Sequence, residues 1–411
     1  MLLRARTVLP VCAPPIDDGA VLVHDSQIEA VGPFTELRGK SDDRVIDLGD
    51  AILLPGLVNA HCHLDYTGLA GKLSPAKNFS DWIKAIVALK AEWSYADFAM
   101  SWLQGAKMLL RSGVTTIVDI EAVPELLPEV TASTPLRVVS CFELLSVRSR
   151  QTARQMVDAA VSKLVTLDGE TPGLSPHAPY TTSPELLRAA AAAARERGWL
   201  LTAHVAESAD EFQMYQDARG AMFNWLRPQR DMSDCGIGSP VAHLARHGAL
   251  APHVLAVHAN YLAPGDAALL AVAGASVAHC PRSHAFFGHK KFPLLELTKA
   301  GVNICLGTDS MATMPRTRGE PFALDLFSEM RTLAGNFSTL RPRRIVEMAT
   351  MHAAKAIGRP TELGRLAPGS CADLIVLPRG KTHDPYRAVL HHHGDVSASM
   401  VRGVWAFPPA A

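Results

Sequence analysis

Through the middle of this chain, short β-branched or apolar runs, each closed by a polar residue, alternate with longer stretches of helical periodicity. That rhythm predicts repeated strand–helix units around a parallel sheet. Strand ends fall near His61, Asp119, Glu143, Ser175, His204, His258, Cys280 and Asp309. Eight such units predict an α/β fold, a TIM (β/α)8 barrel, in which functional groups gather at the C-terminal ends of the strands. The polar residues stand at those ends. Ser80 is expected to cap a helix carrying Trp82, Ile83, Ile86, Val87 and Leu89 on one stripe. Tyr95 to Arg111 predicts a second helix, stopped by Gly113 before the strand Val114-Thr115-Thr116-Ile117-Val118.

Two flanks break the rhythm. Residues 1–55 and the tail 357–411 carry short strand patterns separated by turns, such as Ala20-Val21-Leu22-Val23 and Asp373-Leu374-Ile375-Val376. Neither is long enough to bury a good core alone. The expectation is that the two ends pair into one composite β-sandwich outside a catalytic barrel of residues 56–356.

Charge narrows the partners. Forty basic residues balance forty acidic ones, so nucleic acid and anionic membrane, which favour a basic excess or stripe, have no electrostatic footprint here. A small, roughly neutral ligand fits better, with self-association into a homo-oligomer left open. Seven cysteines are scattered without a Cys-x-x-Cys, the usage of reduced thiols in a cytoplasmic protein. The start, Met1-Leu2-Leu3-Arg4-Ala5-Arg6, lacks a signal peptide's apolar core, and no uninterrupted apolar run reaches spanning length.

The apolar run Ile52-Leu53-Leu54-Pro55-Gly56-Leu57-Val58 leads into Asn59-Ala60-His61-Cys62-His63. A strand ending in His-x-His aims two imidazoles the same way. Alone the pair is weak evidence, since 17 histidines in 411 residues produce such pairs by chance and His391 with His393 is a second one. Further residues strengthen it, each just past its own apolar run: His204 and Glu207 after Leu200-Leu201-Thr202-Ala203, His258 after Leu255-Ala256-Val257, and Asp309 after Ile304-Cys305-Leu306-Gly307-Thr308. His61, His63, His204 and Asp309 would give a divalent ion three imidazoles and a carboxylate and leave one position for water, an open arrangement suited to Zn²⁺ or Fe²⁺. Such an ion can lower the pKa of bound water from about 15.7 to roughly 7.

The order of these residues resembles the amidohydrolase superfamily, in its cytosine-deaminase and chlorohydrolase-like branch. The resemblance spans essentially the whole chain. It is carried by Pro55-Gly56-Leu57-Val58-Asn59-Ala60-His61, Ser175-Pro176-His177-Ala178-Pro179-Tyr180, His279-Cys280-Pro281-Arg282-Ser283 and Gly364-Arg365-Leu366-Ala367-Pro368-Gly369. It implies that His61, His63, His204 and Asp309 hold one metal ion, that Glu207 shuttles protons, that His258 holds the attacking hydroxide or the substrate, and that His177 touches substrate. Asp309 would also accept the water's proton. Two-metal members use a carboxylated lysine at the end of the fourth strand; Pro172-Gly173-Leu174-Ser175-Pro176-His177 has none, which implies a mononuclear site and deamination in preference to dechlorination or amide hydrolysis. Asn78-Phe79-Ser80-Asp81-Trp82-Ile83 and Cys280-Pro281-Arg282-Ser283-His284 look most like aminofutalosine-deaminase-like members, which act on an adenine nucleoside, although His284 stands where related deaminases often have Asn. Phe79, Trp82, Phe286 and Phe287 could form an aromatic lid over a flat heterocycle, and Arg282 and His284 are candidate pocket residues.

Overall fold

The computed structural model describes residues 1–39, 44–167, 169–314 and 322–409. Eight parallel strands follow one another around a single sheet: β1 (Leu57–Cys62), β2 (Val114–Glu121), β3 (Arg137–Leu144), β4 (Gly173–Pro176), β5 (Leu200–Val205), β6 (Val254–His258), β7 (Ser276–His279) and β8 (Asn303–Leu306). The ring closes just beyond β8, where Thr308 and Asp309 donate their backbone N–H groups to the His61 carbonyl at 3.0 and 3.1 Å. Alternation along the strands divides the core as a barrel requires. Val58, Ala60, Val118, Val139, Leu255, Val257 and Ala278 share one cluster, while Leu57, Ile117, Val138, Leu174, Leu201, Val254 and Val277 pack in another that includes surrounding helices.

Closure depends on one residue without a side chain. A Cβ on Gly307 would sit 2.8 Å from the His61 carbonyl oxygen and 3.0 Å from its amide nitrogen, and backbone cannot swing aside as a side-chain tip can. Gly307→Ala is therefore expected to lower the thermal midpoint, by an overpacking cost of about 1–3 kcal/mol, and to weaken retention of any ion held by His61. A wild-type melt in that variant would show that the seam yields without cost.

The two ends of the chain meet in a second sheet. Ala51–Pro55 runs antiparallel to Leu374–Pro378, pairing Leu54 with Ile375. Leu2–Val8, Ile16–His24 and Gln27–Pro33 extend the sheet on one side, Ala398–Val401 and Val404–Phe407 on the other. Leu2–Val8 also pairs with Val45–Asp47, so the sheet branches there and wraps a core of Leu3, Val21, Ile28, Leu53, Leu374 and Met400. A buried ion-pair network pins it to the barrel: Arg137 of β3 reaches Asp373 at 2.6 Å and Glu170 at 2.7 Å, and Arg402 meets Glu170 at 2.7 Å.

The helix expected after the first strand spans Phe79–Lys90, but Ser80 does not cap it. Asn78 occupies the cap position and makes no side-chain cap bond, while the Ser80 hydroxyl donates to Asp210 at 3.2 Å. The second helix is Tyr95–Arg111, closed by a capping box between Ser94 and Asp97.

Candidate active site

At the C-terminal mouth of the barrel the candidate residues converge. His61 and His63 leave the end of β1, where the pairing register with β2 shifts between Asn59 and Cys62. Alternation already puts these two side chains on one face, and the irregularity bends the strand end that carries them. Asn59 fastens this end to β8: its amide donates to the Thr308 hydroxyl at 2.8 Å and its carbonyl accepts the Thr308 N–H at 3.1 Å. Asp309 is thereby held beside both histidines, its Oδ1 3.8 Å from each Nε2. Beneath the pair, Asp119 of β2 accepts from the Leu64 N–H at 3.0 Å and the Trp102 indole at 2.7 Å, fixing the turn that follows His63. Burial pushes its carboxyl up to about 7.

His204, at the end of β5, completes the cluster. Its Nε2 lies 3.2 Å from that of His61 and 3.3 Å from that of His63. Its other nitrogen faces the His177 carbonyl at 2.9 Å, a bond that only a protonated Nδ1 can donate, so the Nε2 lone pair points at its two neighbours. Burial holds the His204 imidazole down to about 3, and His63 is likewise depressed by burial and by the charges of His61 and His204. Neutral imidazoles with their lone pairs facing one another across about 3 Å, beside a carboxylate, are a poor arrangement for themselves and a good one for a cation. The donor set fits a divalent metal ion.

Glu207 and His258 stand on the next side of the ring. Their closest atoms, Oε1 and Nε2, are 3.6 Å apart, and Glu207, His258 and Asp309 bring one ligand-capable atom each within 4.8 Å of one another. Glu211 accepts the Glu207 N–H at 2.8 Å and Asn260 donates to the Glu207 carbonyl at 3.0 Å, so the backbone is clamped on both sides. Burial, with the charges of Asp309 and Glu211, pushes the Glu207 carboxyl well up. His258 and Asp309 both take left-handed backbone conformations, φ +75° and +54°. Non-glycine residues adopt that region rarely and at some cost, and such strain concentrates at functional sites.

These residues open into a cavity of about 570 Å³. His177 and Trp82 line it, and the buried Trp82 indole N–H has no partner among the described residues. Arg282 and His284 do not line it. The Arg282 guanidinium turns to Glu329 and donates to the Ala323 carbonyl at 2.9 Å, and His284 pairs with the Lys290 carbonyl at 2.8 Å, so both are spent inside the protein. Phe287 packs edge-on against Phe79 and Trp82 at 5.0 Å; Phe79 and Trp82 line the cavity, whereas Phe286 and Phe287 do not. His391 and His393 are exposed, and the His392 ring rests on Phe327 at 4.8 Å, away from this mouth. Sequence reasoning named Glu143 only as a strand end and missed Tyr66 and Lys90, all three in the cavity wall. Tyr66 stacks on His63 at 5.0 Å, a contact its position three residues on could have suggested.

The amidohydrolase family model matches residues 52–406, most of the chain. The chain belongs to the amidohydrolase family. A 5-methylthioadenosine/S-adenosylhomocysteine deaminase of Moorella thermoacetica is 29% identical over 419 residues, covering 98% of this chain and 89% of the relative. Two solved structures share the fold. One is an adenosine deaminase of Xanthomonas campestris with bound zinc (TM-score 0.83, 24% identity, 98% of this chain and 92% of that one). The other is an aminofutalosine deaminase of Helicobacter pylori in complex with methylthio-coformycin (TM-score 0.85, 19% identity, 98% and 99%). In this amidohydrolase, no helix among the described residues is long and apolar enough to cross a membrane.

Proposed function

We propose that this amidohydrolase removes the amino group of an adenine nucleoside by hydrolysis, using one divalent ion, zinc in first place and iron in second, held by His61, His63, His204 and Asp309. The observation that carries the reading is Glu207: a carboxyl shielded from water, pushed up by burial, facing His258 and opening into the same cavity as the metal ligands. The relatives named for deaminating adenine nucleosides support the substrate class. The seven cysteines, none paired, support a reducing, cytoplasmic setting.

When bound, the ion would make a water acidic enough to attack at neutral pH. The chain's own residues move the protons. Glu207 gives its proton to the ring nitrogen next to the reacting carbon, takes one from the attacking water and passes it to the departing amine, and is reprotonated by the water's second proton as the carbonyl forms. Water and amino-heterocycle thus become oxo-heterocycle and ammonia, with one carboxyl serving as acid and base in turn. His258 sits beside Glu207 and orients the attack, with Asp309 as a second acceptor for the water's proton. His177 and the free Trp82 N–H hold the ring and its substituent.

The test is ammonia release, followed together with the heterocycle's absorbance, across adenine nucleosides, guanine, cytosine and amino-triazines. Adenine nucleosides should turn over. In His258→Ala, kcat/KM should fall while metal content stays near that of the wild type, as for a residue that orients attack without ligating the ion. Turnover of a halogenated or amide substrate, with every amino-heterocycle inert, would refute deamination.

A further inference from the structure

The cavity does not surround the metal ligands evenly. It opens outward between the helix after β1 (Phe79, Trp82, Ile86), Trp225 after β5, and the ends of β2, β3 and β4, where Val123, Glu143 and Thr181 line it, and among the described residues nothing from β7 or the loop after it does so. If the heterocycle sits between the metal ligands and Glu207, as in the function proposed above on which this inference rests, a ring substituent directed over β3 runs past Glu143.

Three carboxylates face the cavity. Asp309 and Glu207 belong to the centre already described. Glu143, at the end of β3, is half-buried, and its carboxylate has no hydrogen-bond or ion-pair partner among the described residues. Two polar side chains of the same wall are engaged elsewhere: Lys90 pairs with the Tyr66 hydroxyl, and the Thr181 hydroxyl with His177 at 2.7 Å. A carboxylate that faces a cavity with no partner of its own is free to accept hydrogen bonds from a ligand's donors. A cationic ligand would meet the Lys90 ammonium, which lines the same wall over the Tyr66 ring at 3.8 Å. A neutral ligand with two adjacent hydroxyls avoids that repulsion and offers one O–H to each carboxylate oxygen.

We propose that Glu143 binds the 2′- and 3′-hydroxyls of the substrate's ribose and is the residue by which the enzyme prefers ribonucleosides. The experiment compares kcat/KM for adenosine and 2′,3′-dideoxyadenosine in metal-loaded wild type, Glu143→Gln and Glu143→Ala. Wild type should favour adenosine by roughly 10- to 100-fold, the worth of charge-assisted hydrogen bonds. Both variants should lose most of that preference through a fall on adenosine alone, with the dideoxynucleoside scarcely changed and serving as the internal measure of folding. A preference that survives in the variants overturns the assignment, and so does an equal loss on both substrates. If the wild type deaminates neither nucleoside, the deaminase reading fails and this one with it; if it deaminates both with a ratio the variants leave alone, only the role of Glu143 falls.

Discussion

Glu207→Gln is expected to keep its metal and its substrate affinity while losing about 10²- to 10⁴-fold in turnover, the range that positioned acid–base groups supply. The amide preserves the side chain's shape in a site where the backbone is clamped by Glu211 and Asn260, so the fold has no reason to change. What disappears is the ability to give a proton and take one back. The wild-type carboxyl is prepared for both roles by its surroundings: burial first, then the charges of Asp309 and Glu211, raise its proton affinity well above that of an ordinary glutamate. The measurements are kcat and KM with the best adenine nucleoside, metal content by elemental analysis, and binding of a substrate analogue. A kcat unchanged within error would mean that another group carries the proton, and His258, 3.6 Å away, would be the first to examine.

How much of this was legible in the sequence follows from what each element depends on. The barrel strands depend on local pattern, and the ends marked by His61, His204, His258 and Asp309 lie at or just beyond the strands observed there. Pairing of the two chain ends was also within reach, because neither flank could bury a core by itself. The shift in register at the end of β1 and the left-handed backbone at His258 and Asp309 were not. They answer to closure of the ring, which no short window contains. Arg282 and His284 show the same limit from the other side. Their place after a barrel strand suggested the pocket, but they stand on the short helix Pro281–Phe286, and partners outside it, Glu329 and the Ala323 carbonyl for Arg282 and the Lys290 carbonyl for His284, set where the side chains go. The shape of the cavity, walled by segments after β1, β2, β3, β4 and β5, is likewise a property of how the connections lean. Glu143 could therefore be seen as a strand end but not as a carboxylate in the cavity wall.

Protein purified without chelators should carry about one equivalent of divalent metal per chain, and stripping it should abolish turnover and lower the thermal midpoint. The argument is electrostatic. Three buried imidazoles bring their Nε2 atoms to 3.2–3.3 Å in two of the three pairs, and His204 cannot relieve the contact by protonating Nε2, because its Nδ1 proton is committed to the His177 carbonyl and burial opposes the charge that a second proton would bring. An ion removes the lone-pair repulsion, so it binds the folded chain far better than the unfolded one and stabilises it in proportion to the logarithm of its concentration over Kd. Asp309→Asn and His204→Ala should each lose the metal, since each removes a charge or a lone pair that nothing nearby replaces. Re-addition of zinc or iron should restore activity to stripped wild type but not to these variants. A second ion would need a bridging ligand, and the fourth strand, ending Ser175-Pro176-His177, offers no lysine to carry one. Two equivalents per chain, or full activity in a preparation with none, would overturn the mononuclear assignment.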